Sequence, residues 1–466
     1  MKHFDVIVIG SGPAGQKAAV QAAKAGKTVA IVERDQWLGG ACVHRGTIPS
    51  KTLRENALRV KKMRENAALS NFELAEDLEM SALIDRLNDV LQAHDGFMAK
   101  QIERNSIERI HGRACFLSDQ ELEITKVRGE PEILKATNFI IASGSIPKKP
   151  DNVAIDHENI FDSDSILTLL YLPKSLTVLG GGVIASEYAS IFQALGVKVT
   201  MIDRYALPLG FMDADLTEKF VHAFQEMGGT WLGETVVKSV EWDGVSEVIT
   251  TCEDGSVVKS SKLLCAAGRE ANVKDLHIEK AGLALNEQGN VSVDEMLKTS
   301  VDHIYAAGDV IGPPSLASAS MEQGRRASCN ALGIGVGPMS KMIPSGIYGI
   351  PELSSVGLTE QQASKELSGV IVGRANFEEI SRGQINDIHD GMLKIICDPQ
   401  GEKILGVQIV GEGATELIHI GQMAMLSDSN VDIFVESIFN FPTLAEAYRV
   451  AALAVIGQRT AQSEKY

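Results

Sequence analysis

Cysteine is sparse and scattered in this chain. Cys42, Cys115, Cys252, Cys265, Cys329 and Cys397 include no two closer than 13 positions, so the C-x-x-C spacing of a zinc ribbon or a thioredoxin-type redox pair is absent. Structural disulfides are not expected. Long apolar runs are missing too: none approaches the roughly 18 residues of a membrane span, and the strand-like stretch Phe4 to Ile9 begins too early to follow a signal peptide. A cytoplasmic protein is expected. Basic charge is the minority sign, with 44 Lys and Arg against 61 Asp and Glu and a net charge of −17. Such a chain repels phosphate backbones and anionic lipid, which argues against nucleic acid and membrane partners. The basic run Arg59, Lys61, Lys62 and Arg64 reads as a solvated helix face. Low-complexity tracts are absent as well. With 44% hydrophobic and 23% charged residues over 466 positions, the chain is a folded one with room for about three domains.

What the chain has is glycine in two matching places. The segment FDVIVIGSGPAGQKAAVQAAKAGKTVAIVE runs from an apolar strand through a glycine turn and an alanine-rich helix into a second strand ending at Glu33, one βαβ unit. SLTVLGGGVIASEYASIFQALGVKVTMID repeats it, and Asp203 stands 23 positions after Gly180, as Glu33 does after Gly10. In the first copy Gly10 permits the tight turn, Gly12 lets the backbone approach a pyrophosphate, and Gly15 lets helix pack on strand. The pyrophosphate then meets free amides at a helix N-terminus, and Glu33 accepts hydrogen bonds from an adenosine ribose. In the second copy Gly180 and Gly182 take the first two places and Ala185 the third. Asp203 favours a free ribose 2′-hydroxyl, hence NAD. Arg204 beside it either pairs with the 2′-phosphate of NADP or makes no specific contact, so the nucleotide preference stays open.

Two further apolar runs, FIIASGSIP around Gly144 and LLCAAGREANV around Gly268, read as strands leaving a domain through a glycine turn. The expected fold class is α/β: two doubly wound, Rossmann-like dinucleotide-binding domains plus a C-terminal α+β domain. Residues 1–150 and 271–340 form the first, 151–270 an inserted second, and 341–466 the third, with helical stretches around Thr415 to Leu426 and Leu444 to Ile456. His419 and Glu416 share one of these stretches and mark a packed helix rather than a metal site, so no metal is expected.

The stretch Gly39-Gly40-Ala41-Cys42-Val43-His44-Arg45-Gly46-Thr47-Ile48-Pro49-Ser50-Lys51 resembles the pyridine nucleotide-disulfide oxidoreductases, whose redox pair is spaced C-x-x-x-x-C before I-P-S-K. Here Thr47 takes the second cysteine's place, and a threonine cannot close a disulfide. Those relatives also carry a histidine before a Pro-Thr near the C-terminus, supplied as acid-base by the partner subunit. This chain has Phe441-Pro442-Thr443, and phenylalanine shuttles no proton. Together with FNFPTLAEAYRVAAL, the pattern is similar to the family's flavin-containing transhydrogenase branch, over essentially the whole chain.

The resemblance implies FAD in the first unit, a nicotinamide nucleotide in the second, and a homodimer formed largely by the third domain. It places Lys51 beside flavin N5 with Glu187 as its salt-bridge partner, a fixed cation where negative charge develops. It also assigns Gly40, Cys42 and Gly144 to the cofactor site, Asp309 to the ribityl chain, Ala114 to the adenine, the helix starting near Ala317 to flavin N1 and O2, and Gly268 to the nicotinamide. Ser318 stands where the relatives carry histidine. Cys42 is either a flavin-adjacent thiol or a small packing residue. The expected activity is FAD-dependent hydride transfer between NADPH and NAD, both as substrates of one pocket. The alternative is an NAD(P)H dehydrogenase reducing a quinone; a dihydrolipoyl dehydrogenase or a non-catalytic FAD-binding protein stands behind it.

Overall fold

The computed structural model describes residues 2–66, 80–126 and 128–463. Its first sheet is built around Lys2–Ile9, which runs parallel to Val29–Glu33 on one side and to Glu132–Ile141 on the other. Glu108–His111 extends the sheet beyond Val29–Glu33. Glu132–Ile141 pairs on its far side with Glu121–Thr125 near its start and with Ile304–Ala306 near its end. Alternate side chains of the central strand enter different cores, Ile7 and Ile9 on one face and Val6 and Val8 on the other. A parallel strand covered on both faces is apolar throughout for this reason.

The second sheet, unlike the first, is parallel throughout, in the order Thr230–Leu232, Lys198–Ile202, Ser175–Leu179, Lys262–Cys265, Ile160–Asp162. The two glycine units match down to the backbone. Gly10 and Gly180 have φ of 102° and 114°, and each donates its N–H to the second strand of its unit, to the oxygens of Val32 and Ile202 at 2.8 and 2.9 Å. A side chain at Gly10 would place Cβ 2.3 Å from the Ala142 oxygen, so only glycine closes this turn. Both connections between the two sheets pass through one short antiparallel ribbon, Ser145–Pro147 paired with Arg269–Ala271.

The third unit is a five-stranded antiparallel sheet, Ser345–Ile347, Leu353–Gly357, Ile404–Val410, Met392–Cys397, Ile371–Asn376 in spatial order. The helices Ala414–Leu426 and Glu446–Ser463 cover it. Lys394 sits in the fully buried strand MLKIIC with a side chain only 2% exposed. Its Nζ reaches Asp213 at 3.1 Å, Asp215 at 2.9 Å and Glu360 at 2.7 Å, while Arg374 bridges Asp215 and Glu360. Asp213 and Asp215 open the helix Ala214–Glu226 of the second unit, so this cluster rivets that unit to the third. Burial alone would raise the Asp215 carboxyl, but Lys394 and Arg374 outweigh it and hold the group below the usual carboxylate range.

Lys394→Met therefore leaves three crowded carboxylates with one cation, and is expected to destabilise the protein by about 3–5 kcal/mol at neutral pH in chemical denaturation. Asp215 stabilises the native state in full above the ordinary carboxylate pKa of about 4 and loses that contribution as pH falls through its lowered native value. In the variant, protonation relieves the repulsion instead. The gap between the two proteins is expected to narrow as pH falls toward about 4.

Candidate active site

Three helix N-termini meet at one cleft of 1320 Å³. The helices Pro13–Lys24, Val183–Ala194 and Ala317–Ala331 begin after Gly12, Gly182 and Leu316, none of which offers a side-chain cap to the first-turn amides. All three starts line the cleft. Uncapped N–H groups and the positive end of the helix dipole make such termini anion sites, here within a chain that is acidic overall. Helix Ala317–Ala331 lies close on Pro13–Lys24; a Cβ on Gly324 would come 2.0 Å from the Ala14 oxygen.

The cleft gathers most of the residues singled out from the sequence. Gly10, Gly12, Glu33, Gly40, Cys42, Lys51, Ala114, Gly144, Asp309 and Ala317 line it from the first unit, and Gly182, Glu187 and Gly268 from the second. Gly15, Gly180, Asp203 and Arg204 are not in the lining. Gly15 works behind it, where a Cβ would come 1.9 Å from the Gly10 oxygen, and Gly180 forms the turn. Asp203 follows the strand Lys198–Ile202, accepts the Tyr205 N–H and sits at the open end of the second unit beside the exposed Arg204.

Glu33 is buried, and Oε2 accepts both the Ser11 N–H and its hydroxyl, at 2.9 and 2.6 Å. The acid at the end of the second strand thus braces the glycine turn with Oε2, while Oε1 accepts the Asp35 N–H at 2.9 Å and keeps a lone pair for a ribose hydroxyl. Asp309 accepts the Ser145 hydroxyl at 2.8 Å. Arg269, next to Gly268, grips Ser145, Ser163 and Asp164, which ties the crossing ribbon to the cleft wall.

At the centre, Lys51 Nζ donates to both oxygens of Glu187 at 2.8 and 2.6 Å. Lys51 belongs to the helix Thr47–Glu65, Glu187 to Val183–Ala194, and Glu187 is 3% exposed, so it is no surface residue. The third unit joins them: the Tyr348 N–H donates to Glu187 Oε1 at 2.9 Å. One turn along the lysine helix, Arg54 binds the Gly349 oxygen and Glu352. Neither Tyr348 nor the Arg54–Glu352 pair was anticipated from the sequence. An arginine three positions after Lys51, on the same helix face, was the available signal.

All six cysteines are free thiols. Burial pushes the Cys42 thiol up, against a hydrogen bond from Thr47 and the charge of Lys51. A protonated thiol facing a hydroxyl is a poor nucleophile. Phe441 lies 72% exposed, near the 96%-exposed Ile438. Among the described residues, no group of three or more His, Cys, Asp or Glu side chains is arranged to hold a metal ion, and no helix is long and apolar enough to cross a membrane.

The family model described as pyridine nucleotide-disulphide oxidoreductase matches residues 4–324, and that family's dimerisation domain matches 343–452. The chain belongs to this family. Among its relatives, a soluble pyridine nucleotide transhydrogenase of Mycobacterium bovis is 39% identical over all of this chain and 99% of that protein. The enzyme of the same name from Photobacterium profundum is 40% identical over 97% of each. The HOCl-induced flavoprotein disulfide reductase RclA of Escherichia coli, solved as a Cu(II) complex, superposes with a TM-score of 0.89 at 28% identity, over 97% of this chain and 99% of that one.

FAD is the cofactor of this pyridine nucleotide-disulphide oxidoreductase family, and the residues present fit it. Gly12 and Gly182 have open space where a side chain would stand, with nothing closer to a Cβ than 4.0 Å, over unclaimed amides that suit two pyrophosphates. Gly10→Ala brings Cβ against the Ala142 carbonyl in a left-handed backbone, a strain of about 1–3 kcal/mol at the cofactor turn. That variant is expected to purify largely free of flavin, judged by the ratio of flavin to protein absorbance.

Proposed function

We propose that this chain transfers hydride between NADPH and NAD, with FAD held in the first unit, the nicotinamide nucleotides bound in turn at one site in the second, and a homodimer built on the third. On this reading residues 1–150 and 271–340 hold FAD, 151–270 the nicotinamide nucleotide, and 341–466 dimerise, in the cytoplasm. The observation that carries it is the Lys51–Glu187 pair, which joins the two nucleotide units at the wall of their shared cleft. Bound FAD supplies the two-electron carrier chemistry that no side chain performs.

The chain's own residues orient and polarise. The Lys51 ammonium offers a fixed positive charge where negative charge develops, and Glu187 keeps it in place before any substrate arrives. The free N-terminus of Ala317–Ala331, in the same cleft, adds its dipole. Asp309, with its second oxygen unengaged by Ser145, accepts hydroxyl hydrogen bonds. Thr47 and Phe441 stand where a dithiol relay would need a thiol and an imidazole, and the raised Cys42 thiol lacks a resolving partner. Electrons are therefore handed back to a nucleotide and not to a disulfide. Full-length relatives bearing the transhydrogenase name support this reading.

The direct test follows NADPH-dependent reduction of a spectrally distinct NAD analogue by the purified protein with no other acceptor. Transfer at the rate of flavin reduction is expected; slow transfer beside fast quinone reduction would replace the proposal with an NAD(P)H dehydrogenase. Lys51→Met is expected to slow anaerobic flavin reduction by at least about tenfold, the scale of one lost charge-stabilising contact. Arg204 is exposed with no partner among the described residues, which leaves it free for a 2′-phosphate. Arg204→Ala should raise KM for NADPH about tenfold, one charge-assisted contact, with KM for NADH little changed.

A further inference from the structure

Lys51 and Glu187 account for the two nucleotide units, yet a third body closes on them. Tyr348 follows the strand Ser345–Ile347 and lines the same cleft. Besides giving its N–H to Glu187, it places its ring 4.8 Å from Lys51 Nζ, within cation–π range. The ring is anchored from behind. It lies beside the Thr415 side chain, both within 3.4 Å of where a Cβ on Gly346 would stand, and Thr415 gives both its N–H and its hydroxyl to Glu352 Oε2, at 3.1 and 2.8 Å. The other oxygen of Glu352 takes Arg54 at 2.7 Å, which returns to the lysine's own helix. Ring and ammonium are thus set against each other by contacts from both units, with Glu187 shared between the Tyr348 N–H and Lys51.

A lysine has four rotatable bonds, and a single carboxylate leaves it free to pivot about that contact. Lys51 Nζ also donates to the Ser50 hydroxyl of its own helix at 3.3 Å; the aromatic face adds a point from outside that helix, and it keeps water off one side of a cation whose side chain is 25% exposed. We infer that Tyr348 is a positioning residue: its ring fixes the Lys51 ammonium at the cleft wall, so that the third unit sets where the positive charge of the flavin site stands. This rests on the reading of Lys51 as the cation beside FAD.

The test compares Tyr348→Phe, Tyr348→Leu and Lys51→Met as FAD-loaded proteins, with Tyr348→Met in place of leucine should that variant not fold. Five quantities are measured: the FAD dissociation constant, the melting temperature, the FAD midpoint potential, the Lys51 ε-carbon NMR shift, and the rate of anaerobic reduction by NADPH. Phenylalanine keeps the ring and is expected to match the parent. Leucine should retain FAD affinity and melting temperature, move the Lys51 resonance as the ring current disappears, make the potential more negative, and slow reduction about three- to tenfold. A leucine variant with parental potential, resonance and rate, beside a slow Lys51→Met, overturns the inference alone. Equal losses in the phenylalanine and leucine variants also overturn it, assigning the effect to the phenol hydroxyl and not to the ring. Unimpaired reduction by Lys51→Met removes the role of Lys51 and this inference with it.

Discussion

One carboxylate holds the molecule's working parts in register. Glu187 receives a lysine from the first unit and a backbone N–H from the third while sitting on the first helix of the second. A buried ion pair contributes little net stability when its desolvation is set against its attraction. Its force lies in geometry, since moving either partner strands a charge in a place water barely reaches. The three units are thus fixed relative to one another at the wall of the cleft they share. The Lys394 cluster fastens the second and third units at a separate place, so the cleft has a rigid frame on two sides.

Legibility in the sequence followed the range of each interaction. The glycine turns, the matched 23-residue spacing and the two-sided apolar strands are local signals, because backbone conformation and strand burial leave their mark within a few positions. Placement in the cleft was less local. Asp203 and Arg204 share the second unit's pattern yet lie outside the lining, at its open end. The partnership of Lys51 with Glu187 spans 136 positions and came from likeness to a family. Tyr348 to Glu187 spans 161, and Arg54 to Glu352 spans 298; no periodicity ties residues so far apart, and only packing of the units joins them.

Fold and chemistry part company here. A flavoprotein disulfide reductase shares this architecture nearly end to end, while full-length sequence relatives carry a transhydrogenase name. One scaffold thus carries proteins of different printed names, as is usual for widely used folds. Thr47 gives Cys42 a hydroxyl in place of a second sulfur, and Phe441 offers a ring without a proton. Neither change disturbs the glycine turns or the lysine and glutamate that a flavin and a nicotinamide would use.

The paired strands Ser145–Pro147 and Arg269–Ala271 have a consequence for the chain as an assembly of parts. Entry to and exit from the inserted unit lie side by side, about 5 Å apart as antiparallel neighbours do. Such a unit is a cassette with both ends at one seam. It can be exchanged for a homologous one by two cuts in register, provided the incoming piece brings its own glutamate for the lysine and its own arginine for the seam.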